Sequence, residues 1–427
     1  MKRRLWVSAG IAFGCLSTFA GHASAEVTLV KPADGWEVYT TGRVGAFVQY
    51  LNGQGVPRAN DPNHQITAEG INVAGAPVDG IANDTSGKVS SSRVRSGFLG
   101  NILTVGVRRQ LTPNTSLMGQ ISLWSTAETN AQRTYEKGVT DAREGYLKLE
   151  GPGGSLLVGR ALSLFGRGAT RTNFLYGHGY GVGAPTGFSD SGPSGGHIGF
   201  GVIAAVFVAG VAYATPVFGG LQLTVGYYDP AVQVGLQYSR TKLGRPEAEA
   251  TYDLQLGPKQ KLHVFADGAF QKLYDTNGTD QSKNVWGVAG GARLELGMFN
   301  VGIAAHTGKG VGVNFFLNQS PSINNQATAN LRPFDGAYIQ TQTMLGKFDI
   351  NVGAGITRAH QMSDDLDPTY PNQPSYLKSQ MGISGVLVYH FAPYLHGAFD
   401  YFRSDVRWWY GERQVINAFN LGMTATW

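Results

Sequence analysis

The chain has 427 residues, of which 60 are glycine, 15% are charged and 11% are aromatic, with a formal net charge of +5. Glycine without a Gly-x-y period excludes a collagen-like fibre, and the many Val, Ile, Leu and Phe exclude a disordered chain. A single cysteine, Cys15, gives no basis for a disulfide framework or a thiolate metal site.

In chain order, Lys2, Arg3 and Arg4 come first, and an uncharged, mostly apolar stretch follows from Leu5 to Ala20. It ends at Ala23-Ser24-Ala25, a small-x-small site ahead of Glu26, so residues 1–25 read as a secretory signal peptide. The rival reading is a lipoprotein-type cleavage at Ala12-Phe13-Gly14-Cys15, which bulky Phe13 fits poorly. Loss of residues 1–25 takes Lys2, Arg3 and Arg4 away, so the formal charge falls from +5 to +2. The basic balance therefore partly belongs to the signal and gives no reason to expect nucleic-acid binding.

The remainder, 26–427, has one uniform texture with no linker or composition shift. Segments that alternate apolar and polar are traced at 36–50, 92–111, 116–130, 141–151, 154–165, 198–215, 220–229 and 245–257. They continue at 260–274, 285–298, 299–311, 333–346, 348–361, 376–391, 394–411 and 413–427. A strand sends successive side chains to opposite faces, so each segment has one greasy and one wet face. Sixteen such segments make an even set, as a closed antiparallel transmembrane barrel requires. Tight turns fall at Thr112-Pro113-Asn114, Gly151-Pro152-Gly153-Gly154, Phe218-Gly219-Gly220, Gly257-Pro258-Lys259 and Ala392-Pro393-Tyr394. The links 51–91 and 312–332 are long and polar, the uneven rhythm of periplasmic turns and external loops. Residues 198–215 are uncharged on both faces. They read as a strand covered by lipid outside and a folded-in loop inside, with a membrane-spanning helix as the competing assignment. The last segment alternates Phe419, Leu421 and Met423 with Asn420, Gly422 and Thr424 and closes on Trp427.

These features resemble the general diffusion porins of the Gram-negative outer membrane. The marks are Gly42-Arg43-Val44-Gly45, Ser92-Arg93-Val94-Arg95-Ser96-Gly97-Phe98-Leu99-Gly100 and Gly154-Ser155-Leu156-Leu157-Val158-Gly159-Arg160, together with the aromatic C-terminal strand. That family usually ends in Phe, so Trp427 is a departure of the same chemical kind. The resemblance implies a homotrimer in the outer membrane, in contact with its lipid and lipopolysaccharide, each subunit with a water-filled pore narrowed by a third external loop. Here that constriction loop corresponds to about 162–197. In many general porins the loop carries acids facing a basic ladder on the wall. Asp190 is this loop's only acid, beside Arg167, Arg171, His178 and His197.

Alternation points Arg43 inward, because Val44, Ala46 and Val48 form the apolar face, and the same logic turns Arg93 and Arg95 inward. Arginine facing lipid at the midplane costs about 2–4 kcal/mol, which favours the lumen. Arg160 joins the wall candidates, while Glu144 and Asp190 offset part of the charge. The expectation is a constriction richer in Arg than in carboxylate and a mild anion preference. Some of these arginines have a competing use at the rim, gripping lipopolysaccharide phosphates. Trp36, Trp124, Tyr146, Trp408, Trp409 and Tyr410 read as interfacial girdle residues. Asp364-Asp365-Leu366-Asp367 lacks the spacing of a calcium loop and reads as solvated acids, and His178 and His197 have no third ligand. No strained Gly-x-Ser-x-Gly elbow is present and no Gly-rich phosphate loop precedes a plausible helix, so neither catalytic residue nor cofactor is expected. The sequence thus reads as a passive channel for small hydrophilic solutes and ions. The alternatives are a channel selective for phosphate, other anions or sugars, and a closed structural or adhesive barrel.

Overall fold

A computed structural model describes residues 26–54, 88–96, 100–125, 140–174, 197–232, 237–314, 316–317, 330–362, 377–409 and 411–427. The signal-peptide reading of 1–25 lies outside the described residues, as do 126–130 of the third predicted segment. The strands are β1 (Val27–Val30), β2 (Trp36–Gln54), β3 (Lys88–Arg95), β4 (Asn101–Thr112), β5 (Thr115–Ser125), β6 (Thr140–Gly151), β7 (Gly154–Leu162), β8 (Phe207–Ala214), β9 (Leu221–Tyr228) and β10 (Tyr238–Arg240). They continue as β11 (Arg245–Gly257), β12 (Gln260–Asp275), β13 (Ser282–Leu296), β14 (Phe299–Lys309), β15 (Pro333–Leu345), β16 (Phe348–Ala359), β17 (Leu377–Ala392), β18 (Leu395–Trp408) and β19 (Arg413–Thr426). Both β3 and β4 pair with β2, and both β10 and β11 pair with β12, so each of these couples makes one stave. Counted this way, and with β1 lying against the start of β2, the sheet is a closed antiparallel barrel of sixteen staves.

Alternation decides the two faces. In β2, Val44, Ala46, Val48 and Tyr50 are exposed while Gly45, Phe47, Gln49 and Leu51 are buried. The same period runs round the barrel, leaving Ile121, Leu147, Val158, Val225, Ile303, Val352 and Leu421 on an apolar outer band. Tyr227, Trp286, Tyr394 and Phe399 stand among the exposed aromatics. Trp124, Tyr146 and Trp408 do not join this girdle. They are 2%, 4% and 1% exposed, because their positions fall on the inward period of β5, β6 and β18.

Closure is made by β19 on β2, from Ile416↔Gly53 to Thr426↔Arg43. Trp427 then exchanges two backbone hydrogen bonds with Gly42, at 2.8 and 3.0 Å. A Cβ on Gly42 would sit 2.7 Å from Trp427 Cε2 and 2.8 Å from the Ile102 carbonyl, so a side chain there would collide with the terminal indole and the β4 backbone. Gly42→Val should cost about 1–3 kcal/mol of overpacking. The check is a lower temperature at which the folded, fast-migrating band disappears in semi-native electrophoresis, against an unchanged band for the wild type.

The described parts of the connection between β7 and β8, 163–174 and 197–206, turn into the barrel instead of outward. The connection begins with a short helix, α1 (Arg167–Thr172), and all of Leu164, Phe165, Phe174, Phe200, Val202 and Ile203 are buried inside. This corrects the reading of 198–215 as one strand. Only Phe207–Ala214 is strand, and 198–205 is apolar on every side because it packs within the lumen. Among the described residues no helix is long and apolar enough to cross a membrane.

Candidate functional site

Three inner-wall carboxylates hold the start of the inward segment. Glu247 on β11 accepts the backbone N–H groups of Leu164 and Phe165 at 2.7 and 2.8 Å, and Arg245 Nε at 2.7 Å. Asp267 on β12 accepts those of Gly166 and Gly168 at 3.1 and 3.3 Å. Glu249 binds Arg167 through both oxygens, with Nε at 3.0 Å, and Arg171 Nη1 lies 3.8 Å away. All three carboxylates are at most 5% exposed. Buried charge is tolerated where donors surround it, and here the loop's backbone and arginines are those donors. The polarity is the reverse of an acidic loop on a basic wall.

Further along, Tyr338 on β15 donates to the Ala169 carbonyl at 2.8 Å and shares a hydrogen bond with Thr172 Oγ1. Phe174 N–H donates to Gln340 at 2.6 Å. The segment reaches β16 and β17, where Gly201 N–H donates to Thr357 at 2.9 Å and His197 pairs with Ser384 at 2.8 Å. Burial against Phe402 and Tyr338 pushes the His197 pKa down to about 4, so it adds no charge at neutral pH. The approach is close enough that a Cβ at Gly355 would strike the Phe200 carbonyl, and Gly201 holds φ of 99°.

A second inward piece, from the connection after β14, locks onto the first. Ala204 N–H donates to the Asn314 carbonyl at 2.9 Å, and the Phe165 and Phe316 rings meet edge-on at 5.7 Å. Val311, Val313 and Leu317 belong to an apolar cluster with Phe265, Val285 and Phe334 of the wall. The sequence read 312–332 as a polar external loop, since its Asn and Ser mask the short run Val311-Gly312-Val313.

The opposite wall mixes polar and charged side chains with inward aromatics such as Phe47 and Trp124. Arg43 is 7% exposed on the inward row of β2 and donates from Nη2 to Thr424 at 3.4 Å. Arg93 and Arg95 pair with Gln49 and Phe47, which belong to that row, though the two arginine side chains lie outside the described residues. Glu144 on β6 accepts from Ser122 at 2.8 Å, and Ser122 in turn meets Thr104 at 2.8 Å. Asp190 and His178 lie outside the described residues, as do Asp364, Asp365, Asp367 and Tyr410. Arg160 is corrected: it continues the exposed row of Leu156 and Val158 and faces outward near the long-loop end, donating to the Ala142 carbonyl at 3.2 Å. The Gly-Arg mark misled because β7 keeps its period through Gly159, whose own inward side lies against the Gly145 and Tyr146 backbone.

A family model described as Gram-negative porin matches residues 12–370. The chain belongs to the Gram-negative porin family. This porin is accordingly an outer-membrane channel of the β-barrel type. No curated protein matches it. Among solved structures it is similar to the outer-membrane channel DcaP of Acinetobacter baumannii, with 15% identity, TM-score 0.66, and coverage of 94% of this chain and 100% of that one. The anion-selective porin from Comamonas acidovorans gives 13% identity, TM-score 0.61, and coverage of 92% and 100%. OmpT of Vibrio cholerae in a trimer form gives 13% identity, TM-score 0.52, and coverage of 92% and 100%. At such identities the likeness is one of fold. The tethering carboxylates of the porin are not among the residues expected from the sequence. Their signal was present in Arg245-Pro246-Glu247-Ala248-Glu249, where charge recurs at every second position and so falls on one face of a strand.

Proposed function

We propose that the porin passes small hydrophilic solutes and ions by passive diffusion, with a mild preference for anions. The supporting observation is the division of labour between the two walls. Arg167 and Arg171 are bound to Glu249 and serve to dock the inward segment, whereas Arg43, Arg93 and Arg95 hold inward positions on β2 and β3, across the sheet from that anchor. Basic side chains at a narrow passage lower the barrier for anions and raise it for cations. Glu144 offsets part of that field, which keeps the preference mild. The inward segment between β7 and β8 is the proposed constriction loop and sets the size limit. Residues 1–25 serve as the export signal, and the assembly is a homotrimer, as the trimer form of OmpT makes reasonable for this fold. Liposomes carrying the protein should swell quickly in a pentose or hexose and progressively more slowly in larger oligosaccharides. Swelling that ignores solute size, or none at all, would overturn the proposal.

A further inference from the structure

At the short-turn end of the barrel, two histidines and a carboxylate meet on the inner wall, apart from the docked segment. His390 stands two residues before the Ala392-Pro393-Tyr394 turn and His396 two residues after it. They are direct cross-strand partners on β17 and β18. Both lie on inward rows, His390 following Val386 and Val388, and His396 preceding Ala398 and Asp400. Asp349 takes the first inward position of β16.

The two rings stand edge to face at 83°, with centroids 4.8 Å apart and Nδ1 atoms 2.7 Å apart. His390 Nε2 lies 3.0 Å from Asp349 Oδ2. An ionised carboxylate only accepts, so His390 carries a proton on Nε2 and, as a neutral ring, keeps a bare lone pair on Nδ1. The Nδ1–H of His396 then fills the space between the rings. A carboxylate that fixes the far nitrogen of an imidazole is the arrangement that orients a metal-ligating histidine. Two nitrogens about 2.0 Å from one metal stand about 2.8 Å apart at a right angle and about 3.3 Å apart at a tetrahedral one. The observed spacing matches the right angle, which Cu²⁺ and Ni²⁺ prefer. Histidine χ2 is a soft torsion, so small turns of the rings aim both lone pairs at one point. Coordination sends the proton between the rings to Nε2 of His396 or to water.

Among the described residues no three His, Cys, Asp or Glu side chains form a ligand set, so water completes the coordination. Nearby charge is close to balanced, since Arg43 reaches Thr424, the residue opposite His396, while Asp349 lies on the other side of the pair. The His390 side chain is 14% exposed, so the pair is not sealed from a small ion.

We infer that His390 and His396, oriented by Asp349, bind a divalent transition-metal ion of tetragonal preference, with copper the best fit. The site is independent of the ion preference of the lumen. The test uses the untagged full chain in detergent with Cu²⁺ as the probe, read by electron paramagnetic resonance. The wild type should bind one more equivalent of Cu²⁺ than His390→Gln/His396→Gln, and the difference spectrum should show two nitrogen ligands. His390→Gln alone, at the less buried ring, should reduce that pattern to one nitrogen and weaken binding by about tenfold or more. Asp349→Asn keeps both ligands and should weaken binding by about tenfold to a hundredfold. Each variant is first shown to be folded by its fast-migrating band in semi-native electrophoresis. Equal copper stoichiometry in the wild type and the double variant overturns the inference, as does a difference spectrum with oxygen ligands only. So does unchanged affinity in Asp349→Asn, which would make the pair an adventitious copper ligand.

Discussion

Glu247→Ala with Glu249→Ala should release the inward segment and raise unitary conductance, with noisier openings, while the barrel remains folded. The two carboxylates hold the backbone of Leu164 and Phe165 and the side chains of Arg167 and Arg245. Removing one partner of a buried, hydrogen-bonded charge pair costs about 3–5 kcal/mol, because the other charge is left stranded. That cost falls on docking, since β11 keeps its backbone ladders to β9 and β12 and its outward row is untouched. Arg167 escapes the penalty by leaving the wall with the loop, and Arg245, which stays on β11, meets water once the segment has left. Gly355→Val offers a route to the same result without changing any charge, as its Cβ would strike the Phe200 carbonyl and lies 2.8 Å from Tyr338 Cβ. Unchanged conductance in both variants, each shown to be folded by its electrophoretic mobility, would mean that the segment does not set the aperture.

The second large effect is on charge. Arg43→Gln/Arg93→Gln/Arg95→Gln should move the reversal potential toward cation selectivity, taking the anion-to-cation permeability ratio to about unity or below. Glu144 would then be left to act on permeating ions without its basic neighbours on the same wall. Arg171→Gln serves as the contrast, because Glu249 keeps its double contact with Arg167 and the docked loop should hardly move. Selectivity that follows Arg171 and ignores the triple change would place the filter on the loop instead of the wall.

The barrel was legible from the sequence because its signal is repeated in every stave. Period-two alternation, tight Pro and Gly turns and long polar links each identify strands locally, and lipid outside makes the apolar row unambiguous. Residue orientation was legible by the same rule wherever the strand kept its period, as with Arg43 beside Val44 and Val48. It failed where the interior is not simply wet. Trp124, Tyr146 and Trp408 are aromatic yet face inward, since the inward loops and neighbouring side chains bury them. Residues 198–205 look like a strand because a segment packed on all sides inside a lumen has the composition of one packed between lipid and protein. The anchors Glu247 and Asp267 are hard to read from sequence because their loop partners are backbone N–H groups, which no motif marks, whereas Glu249 takes the side chains of Arg167 and Arg171 from a distant part of the chain.

A conducting lumen, narrowed by the inward segment and biased by the arginines of β2 and β3, is what the proposed function requires. Planar-bilayer recording of the purified wild type under a salt gradient tests it most directly. Stepwise unitary openings with a reversal potential on the anion side are expected. A correctly folded barrel that gives no steps, or steps that reverse on the cation side, would contradict it.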